Sequence, residues 1–259
     1  CIRDREGTDL DKLALSTEKL LAGTDSKITT IGYYCNPIQY AEHRKTLENV
    51  ICTAGKFGAT HVSTFAGAWE GKPVESAYEE FGKVFRELAD LAEEKGVKLG
   101  IENCLMDGTW EHATCNIGFN PKAWEVMFEE VKNDNFGLEW EPTHQMVQLI
   151  DPVTELRKWC KKIVHIHGKD ATIDWDAVRH SGISGAVPFV WHRMPGFGDT
   201  NWRDIISILR SNGYEDDICI EGYHDPVYSG ELEMTGQLHA LNYLKWCRGG
   251  DFTPTPWAK

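Results

Sequence analysis

The chain has 259 residues, 41% of them hydrophobic, enough for one large core, so a single domain covering residues 1–259 is expected. Its 40 Asp and Glu outnumber 27 Lys and Arg, and a net charge of -13 with no basic run excludes a nucleic-acid or anionic-membrane surface. No apolar stretch reaches the roughly 18 residues that span a bilayer, and Cys1 to Asp11 is too charged for a signal peptide, so a cytoplasmic protein is expected.

In chain order, Thr8 to Ala22 sets Leu10, Leu13, Leu20 and Leu21 among charges, with Thr8 or Asp9 as cap, and reads as a helix ended by Gly23. Lys27 to Tyr34 is β-rich and closes on the turn Cys35-Asn36-Pro37. Tyr40 to Phe57 is helical, Gly58 stops it, and Thr60 to Phe65 follows as a strand. Pro73 to Lys95 is a long amphipathic helix closed by Gly96, and it feeds the strand Val97 to Asn103. A polar loop, Cys104 to Asn120, leads to Pro121, which opens the helix Lys122 to Val131. Phe136 to Glu141 is a strand halted by Pro142, and Gln145 to Cys160 is helical with a break and restart at Asp151-Pro152. After the strand Ile163 to His167 comes an irregular segment, Ala171 to Pro195, longer than an ordinary connection and expected to act as a lid or subunit contact; Phe189-Val190-Trp191 within it reads as a seventh strand. Thr200 to Ser211 is a helix, Asp217 to Gly222 the final strand and Glu231 to Cys247 the closing helix. This βα rhythm predicts an α/β (β/α)8 TIM barrel whose first strand is either the frayed segment Cys1 to Arg5 or missing. The eight cysteines show no CxxC spacing and are expected to be reduced thiols.

Four strands share one pattern. Val164 and Ile166 alternate with His165 and His167, Leu99 and Ile101 with Gly100 and Glu102, Leu138 and Trp140 with Glu139 and Glu141, and Ile218 and Ile220 with Cys219 and Glu221. Side chains two apart share a face, so each strand sends apolar residues outward and ends inward on a metal-type ligand at its C-terminal end, where TIM barrels do chemistry. Glu102, Glu141, His167 and Glu221 form an O3N set suited to a borderline-hard divalent ion, Mn2+ first, then Co2+, Mg2+ or Zn2+. Such an ion acidifies a C–H beside a carbonyl, and flanking carboxylates can take and return the proton.

The runs Gly100-Ile-Glu102-Asn103, Glu141-Pro-Thr-His144, His165-Ile-His167-Gly-Lys169-Asp170, Pro195-Gly-Phe-Gly-Asp-Thr-Asn-Trp202 and Ile220-Glu221-Gly-Tyr-His-Asp225 occur in this order. Together they resemble the sugar phosphate isomerase/epimerase family of xylose-isomerase-like barrels, which includes inosose dehydratases and ketose 3-epimerases, over about Ile31 to Trp257. The resemblance implies metal ligation by Glu102, Glu141, His167 and Glu221, an acid/base pair of Glu102 and Glu221 on opposite faces of the substrate carbon, and substrate contact by His144. In two places the chain departs from the family. Glu141 stands where the family usually has Asp, reaching roughly 1.5 Å further, and the insert between His167 and Arg193 is longer than in ketose 3-epimerases, whose arginine soon after the histidine suggests Arg193 as a substrate ligand.

The remaining candidates are read beside structural roles. Lys169 is expected to meet a substrate oxygen with Asp170 holding it. His61, His224, Trp69, Trp110 and Trp191 are candidates for lining the mouth, whereas Trp202 reads as core. His165 reads as a hydrogen-bonded core histidine, and Glu139 as a partner behind the ligands. The expected activity is a divalent-metal-dependent isomerase or epimerase acting on a sugar or keto-sugar. A lyase or dehydratase on a keto-sugar, inosose or 3-keto-glycoside, C-glycosides included, is the alternative that keeps the same site. A metal-dependent phosphodiesterase would need more ligands and a basic groove, and a sugar-binding barrel without activity would not need both Glu102 and Glu221. Beyond the small-molecule substrate, a homo-oligomer or a second subunit is compatible with the chain.

Overall fold

The computed structural model describes residues 9–251 and 253–256, so the first-strand reading of Cys1 to Arg5 lies outside the described residues. In chain order the elements are α1 (Leu10–Leu21), β1 (Thr30–Gly32), α2 (Ala41–Thr53), β2 (His61–Thr64), α3 (Tyr78–Glu94) and β3 (Lys98–Glu102). They continue with α4 (Pro121–Glu130), β4 (Phe136–Trp140), α5 (Pro142–Met146), α6 (Pro152–Trp159), β5 (Ile163–Gly168) and β6 (Asp170–Ile173). The last are α7 (Trp175–Ser181), β7 (Val190–Arg193), α8 (Trp202–Ser211), β8 (Ile218–Ile220) and α9 (Glu233–Cys247). This is the βα succession of a TIM barrel.

The chain divides into two compact units, the first running to His144 and including Lys162–Ile166, the second taking Gln145–Lys161 and everything from His167 onward. In the first unit β1 to β5 pair in parallel and in sequence, with Ile31 opposite Val62, Val62 opposite Leu99, Ile101 opposite Leu138 and Trp140 opposite Ile166. These apolar rungs are buried, and α3 contributes Phe81, Val84, Phe85, Leu88 and Ala92 to the same core. Their spacing is that of one helical face, and Lys83 with Glu79 on the other face forms an exposed ion pair. Local chemistry sets the ends: Asp9 accepts from the Lys12 amide at 3.0 Å, and Asn120 accepts from the Lys122 amide at 2.9 Å with Pro121 in the first turn.

In the second unit the end of β5 carries β8, whose Glu221 amide donates to the Gly168 carbonyl at 3.0 Å, and α8 buries Trp202, Ile205, Ile206, Ile208 and Leu209. Asp151 accepts from the Thr154 amide at 2.6 Å and Pro152 opens α6, as the restart at Asp151-Pro152 predicts. Trp202 is core, as expected.

Several expectations are corrected. The expected seventh strand at Phe189 to Trp191 is β7, and it pairs antiparallel with β6, Ala171 opposite His192 and Ile173 opposite Val190, instead of joining the parallel sheet. The segment Ala171 to Pro195 is therefore an ordered two-stranded ribbon with α7 between its strands, capped by Asp174. Lys27 to Tyr34 shrinks to the three residues of β1, although the Tyr33 amide still donates to Ser63 at 2.8 Å. The seven described cysteines are free thiols, and burial pushes Cys35 up to about 12. No helix among the described residues is long and apolar enough to cross a membrane.

Candidate metal centre

In the first unit Glu102 is the last residue of β3 and Glu141 the first after β4, and both are buried. Their placement rests on two asparagines. The Asn103 amide clamps the Glu141 backbone, donating to its carbonyl at 2.9 Å and accepting from its N–H at 2.7 Å. Asn116 donates to the Glu102 carbonyl at 2.9 Å and to the Cys104 carbonyl at 2.8 Å while accepting from the amides of Ala66 and Gly118. Pro142 starts α5 directly after Glu141, and one turn on, His144 brings Nε2 to 3.4 Å from Glu141 Oε1.

Below this layer Glu139 is fully buried, accepts from the Tyr34 hydroxyl at 2.8 Å and has His165 Nε2 3.8 Å away. His165 Nδ1 lies 3.3 Å from the Thr30 hydroxyl. These contacts make His165 a hydrogen-bonded interior histidine and give Glu139 partners of its own. His61 opens β2, level with Lys98 and four positions below Glu102, and its ring sits 5.9 Å from that of His165. It belongs to this deeper layer, so the expected place at the mouth is corrected: a residue at a strand's start lies away from its C-terminal end. Trp69 lies in the loop after β2, half-buried.

In the second unit His167 Nδ1 lies 3.2 Å from Glu221 Oε2, and Lys169 donates to Glu221 Oε1 at 2.9 Å. Lys169 is buried, and its partner is Glu221, not the Asp170 expected from the sequence. Asp170 is occupied elsewhere: it accepts from the amides of Ala171 at 2.8 Å, Thr200 at 2.9 Å, Gly196 at 3.0 Å and Gly198 at 3.2 Å. Burial pushes its carboxyl above the usual range, and the bonds from Thr200, Gly196 and Ala171 oppose that push. Arg193, the last residue of β7, donates through Nε to Asp225 Oδ2 at 3.3 Å.

The donor chemistry fits a divalent cation. Buried carboxylates need a compensating positive charge, and two donors each about 2.1 Å from one ion lie roughly 3 to 3.4 Å apart, the spacing of His167 and Glu221. The bonds of Asn103 to Glu141, of Asn116 to Glu102, of Tyr34 to Glu139 and of Asp225 to Arg193 and Met194 have no sequence signal, since each joins groups well separated along the chain.

The family model described as "Xylose isomerase-like TIM barrel" matches residues 5–245. An inosose dehydratase of Clostridium tetani (strain Massachusetts / E88) is 26% identical over 182 residues, which cover 68% of this chain; the chain thus spans 57% of that relative's length. The crystal structure of the IOLI protein with a binding zinc atom is 21% identical with a TM-score of 0.64, covering 93% of this chain and 80% of that one. The crystal structure of 3-keto-D-glucoside 4-epimerase, YcjR, from E. coli is 14% identical with a TM-score of 0.68, covering 92% and 86%. At these identities the two structures are likenesses of fold.

Proposed function

Because the chain belongs to the xylose isomerase-like TIM barrel family, we propose that it is a divalent-metal-dependent enzyme that removes a proton beside the carbonyl of a sugar or keto-sugar, giving isomerisation or epimerisation. The observation that carries this reading is the placement of Glu102, Glu141, His167 and Glu221 at the C-terminal ends of β3, β4, β5 and β8. These four residues hold the ion, Mn2+ first, with Co2+, Mg2+ or Zn2+ as alternatives; the IOLI structure's zinc makes Zn2+ worth testing beside Mn2+. When bound, the ion supplies Lewis acidity to the substrate's carbonyl and hydroxyl oxygens.

The proton chemistry belongs to the chain. Glu102 and Glu221 act as the acid/base pair, one taking the proton from the carbon beside the carbonyl and the other returning one on the opposite face. Lys169 steadies the Glu221 carboxylate through Oε1, and the other oxygen is left to His167 and the reacting side. His144, next to Glu141, and Arg193 bind substrate hydroxyls. Trp69 lines the approach after β2. A homo-oligomer or a second subunit remains part of the proposal.

Elimination is the second reading, and the observation that favours it is the inosose dehydratase name of the Clostridium tetani relative. Both outcomes begin with the same proton removal and part when the carbanion expels a hydroxyl or an aglycone. The test is a keto-sugar and inosose panel in D2O with Mn2+. An isomerase or epimerase places deuterium on the carbon beside the carbonyl, and Glu102→Gln or Glu221→Gln lowers turnover by about 10²- to 10⁴-fold. Elimination product without epimer moves the assignment to the lyase, and wild-type turnover in both Gln variants ends the acid/base assignment.

A further inference from the structure

The last helix, α9, carries apolar residues on two opposite sides. Its buried side is the row Gly236, Ala240 and Leu244. On the far side Met234, Leu238 and Leu241 are 76%, 59% and 41% exposed, and Lys245 completes that row. A surface helix ordinarily gives its far side to charged and polar residues, so apolar rows on both sides mark a helix that is covered on both. The exposed row also runs into a recess. Leu241 and Lys245 line a cavity of about 450 Å³ between α8, β8 and α9, whose apolar wall includes Ile206, Ile218 and Ile220.

The spacing of the exposed row selects its occupant. Positions 234, 238, 241 and 245 alternate steps of four and three, the seam of a coiled coil, which packs on a helix bearing the same repeat. A second copy of α9 is such a helix, and the charges fix its direction. Glu231 and Glu233 lie at the start of α9, Lys245 and Arg248 at its end. Parallel pairing of two copies would set like charges together. Antiparallel pairing sets Glu231 against the partner's Arg248 and Glu233 beside the partner's Lys245. The same register places Leu238 opposite the partner's Leu241, and Leu241 opposite the partner's Leu238, so one two-fold rotation satisfies both contacts and closes the assembly at two chains. Met234, unbranched and adaptable, then meets the aliphatic stem of the partner's Lys245. We propose that this face of α9 is a homodimer interface, formed by two copies of the helix packed antiparallel through Met234, Leu238, Leu241 and Lys245. The interface goes beyond the proposed reaction and does not depend on it.

Sedimentation velocity of the full chain, from micromolar to submillimolar concentration, tests it. The wild type should sediment as a dimer at the upper end of that range. Leu238→Glu sets an unpaired charge against the partner's Leu241 and should raise the dimer Kd by about tenfold or more, with unchanged circular dichroism because Leu238 is exposed. Should that variant misfold, Met234→Glu, at the most exposed position of the row, gives the same reading. Lys245→Glu should weaken the dimer severalfold, and adding Glu233→Lys in the same chain should restore it, since the swapped charges again meet opposite charges only in the antiparallel sense. A chain that stays monomeric throughout overturns the proposal, whether the row is then covered by another part of the chain or by a different protein. A dimer that neither Leu238→Glu nor Met234→Glu weakens uses another surface and overturns it as well. A double variant that dimerises no better than Lys245→Glu alone overturns the antiparallel pairing. Deuterium exchange into substrate is read separately: its absence from a chain that dimerises in this way counts against the proposed function and leaves the interface standing.

Discussion

The Asn103 side chain shows how single residues settle this site, because it joins two strand ends 38 positions apart by bonding both backbone groups of Glu141. Asp225 does the same for the segment after β7. Burial works to raise the Asp225 carboxyl, yet the amides of Tyr228, Met194 and Val227, with Arg193, more than offset it and hold the group below the usual carboxylate range. A carboxyl depressed in the folded state contributes stability that is complete above its unfolded pKa, near 3.9, and is lost as pH falls through the folded value. Asp225→Asn should therefore cost about 2 kcal/mol at pH 7, with the difference from wild type shrinking towards pH 3. Urea melts at the two pH values check this, and a difference that stays the same at both would show that charge plays no part. The ligand-type residues were legible because strand alternation is local. The partners of Lys169 and Asp170 were not, since a side chain's reach to Glu221 or to Gly196 depends on how distant loops return.

Among the elements, the boundaries came from caps and breakers that act within a few residues. Asp9, Asn120-Pro121 and Asp151-Pro152 all cap or open helices at the expected places. The strand contacts are less forgiving. A Cβ at Gly137 in β4 would lie 2.4 Å from the Lys162 carbonyl oxygen and 2.6 Å from Val164 Cγ1, so Gly137→Ala must push β4 and β5 apart. Overpacking of this kind costs about 1 to 3 kcal/mol; an unchanged denaturation midpoint would show that the strands can yield. The insert is the element least readable in advance. Its length was plain, but the antiparallel pairing of β6 and β7 depends on contacts between residues about twenty positions apart, such as Ala171 and His192. We propose that it covers the mouth or meets a neighbouring subunit. Replacing residues 176–187 with a short Gly-Ser linker should then raise KM about tenfold with little loss of melting temperature, and unchanged kinetics would exclude that role.

At the scale of the whole molecule, the first unit is interrupted by residues that belong to the second, and β5 begins in one and ends in the other. Neither unit is a continuous piece of chain, so we propose that the chain unfolds as the one domain expected from its length, in a single calorimetric transition; two resolved transitions would refute this. Chelation should abolish turnover and lower that transition temperature, because an ion bound only by the folded state stabilises it, and Mn2+ or Co2+ should restore both. Full turnover by protein holding less than about one ion per ten chains would rule the metal centre out. The amino-acid sequence by itself determined the order of strands and helices outside the segment Ala171 to Pro195, and the four strands that end on ligand-type side chains, because alternation, capping and turn chemistry act over a few residues. Only the tertiary structure decided that β7 leaves the parallel sheet, that His61 lies deep beside His165, and that Asp170 and Asp225 anchor the segment around Arg193, because those outcomes depend on which distant groups arrive within hydrogen-bond reach.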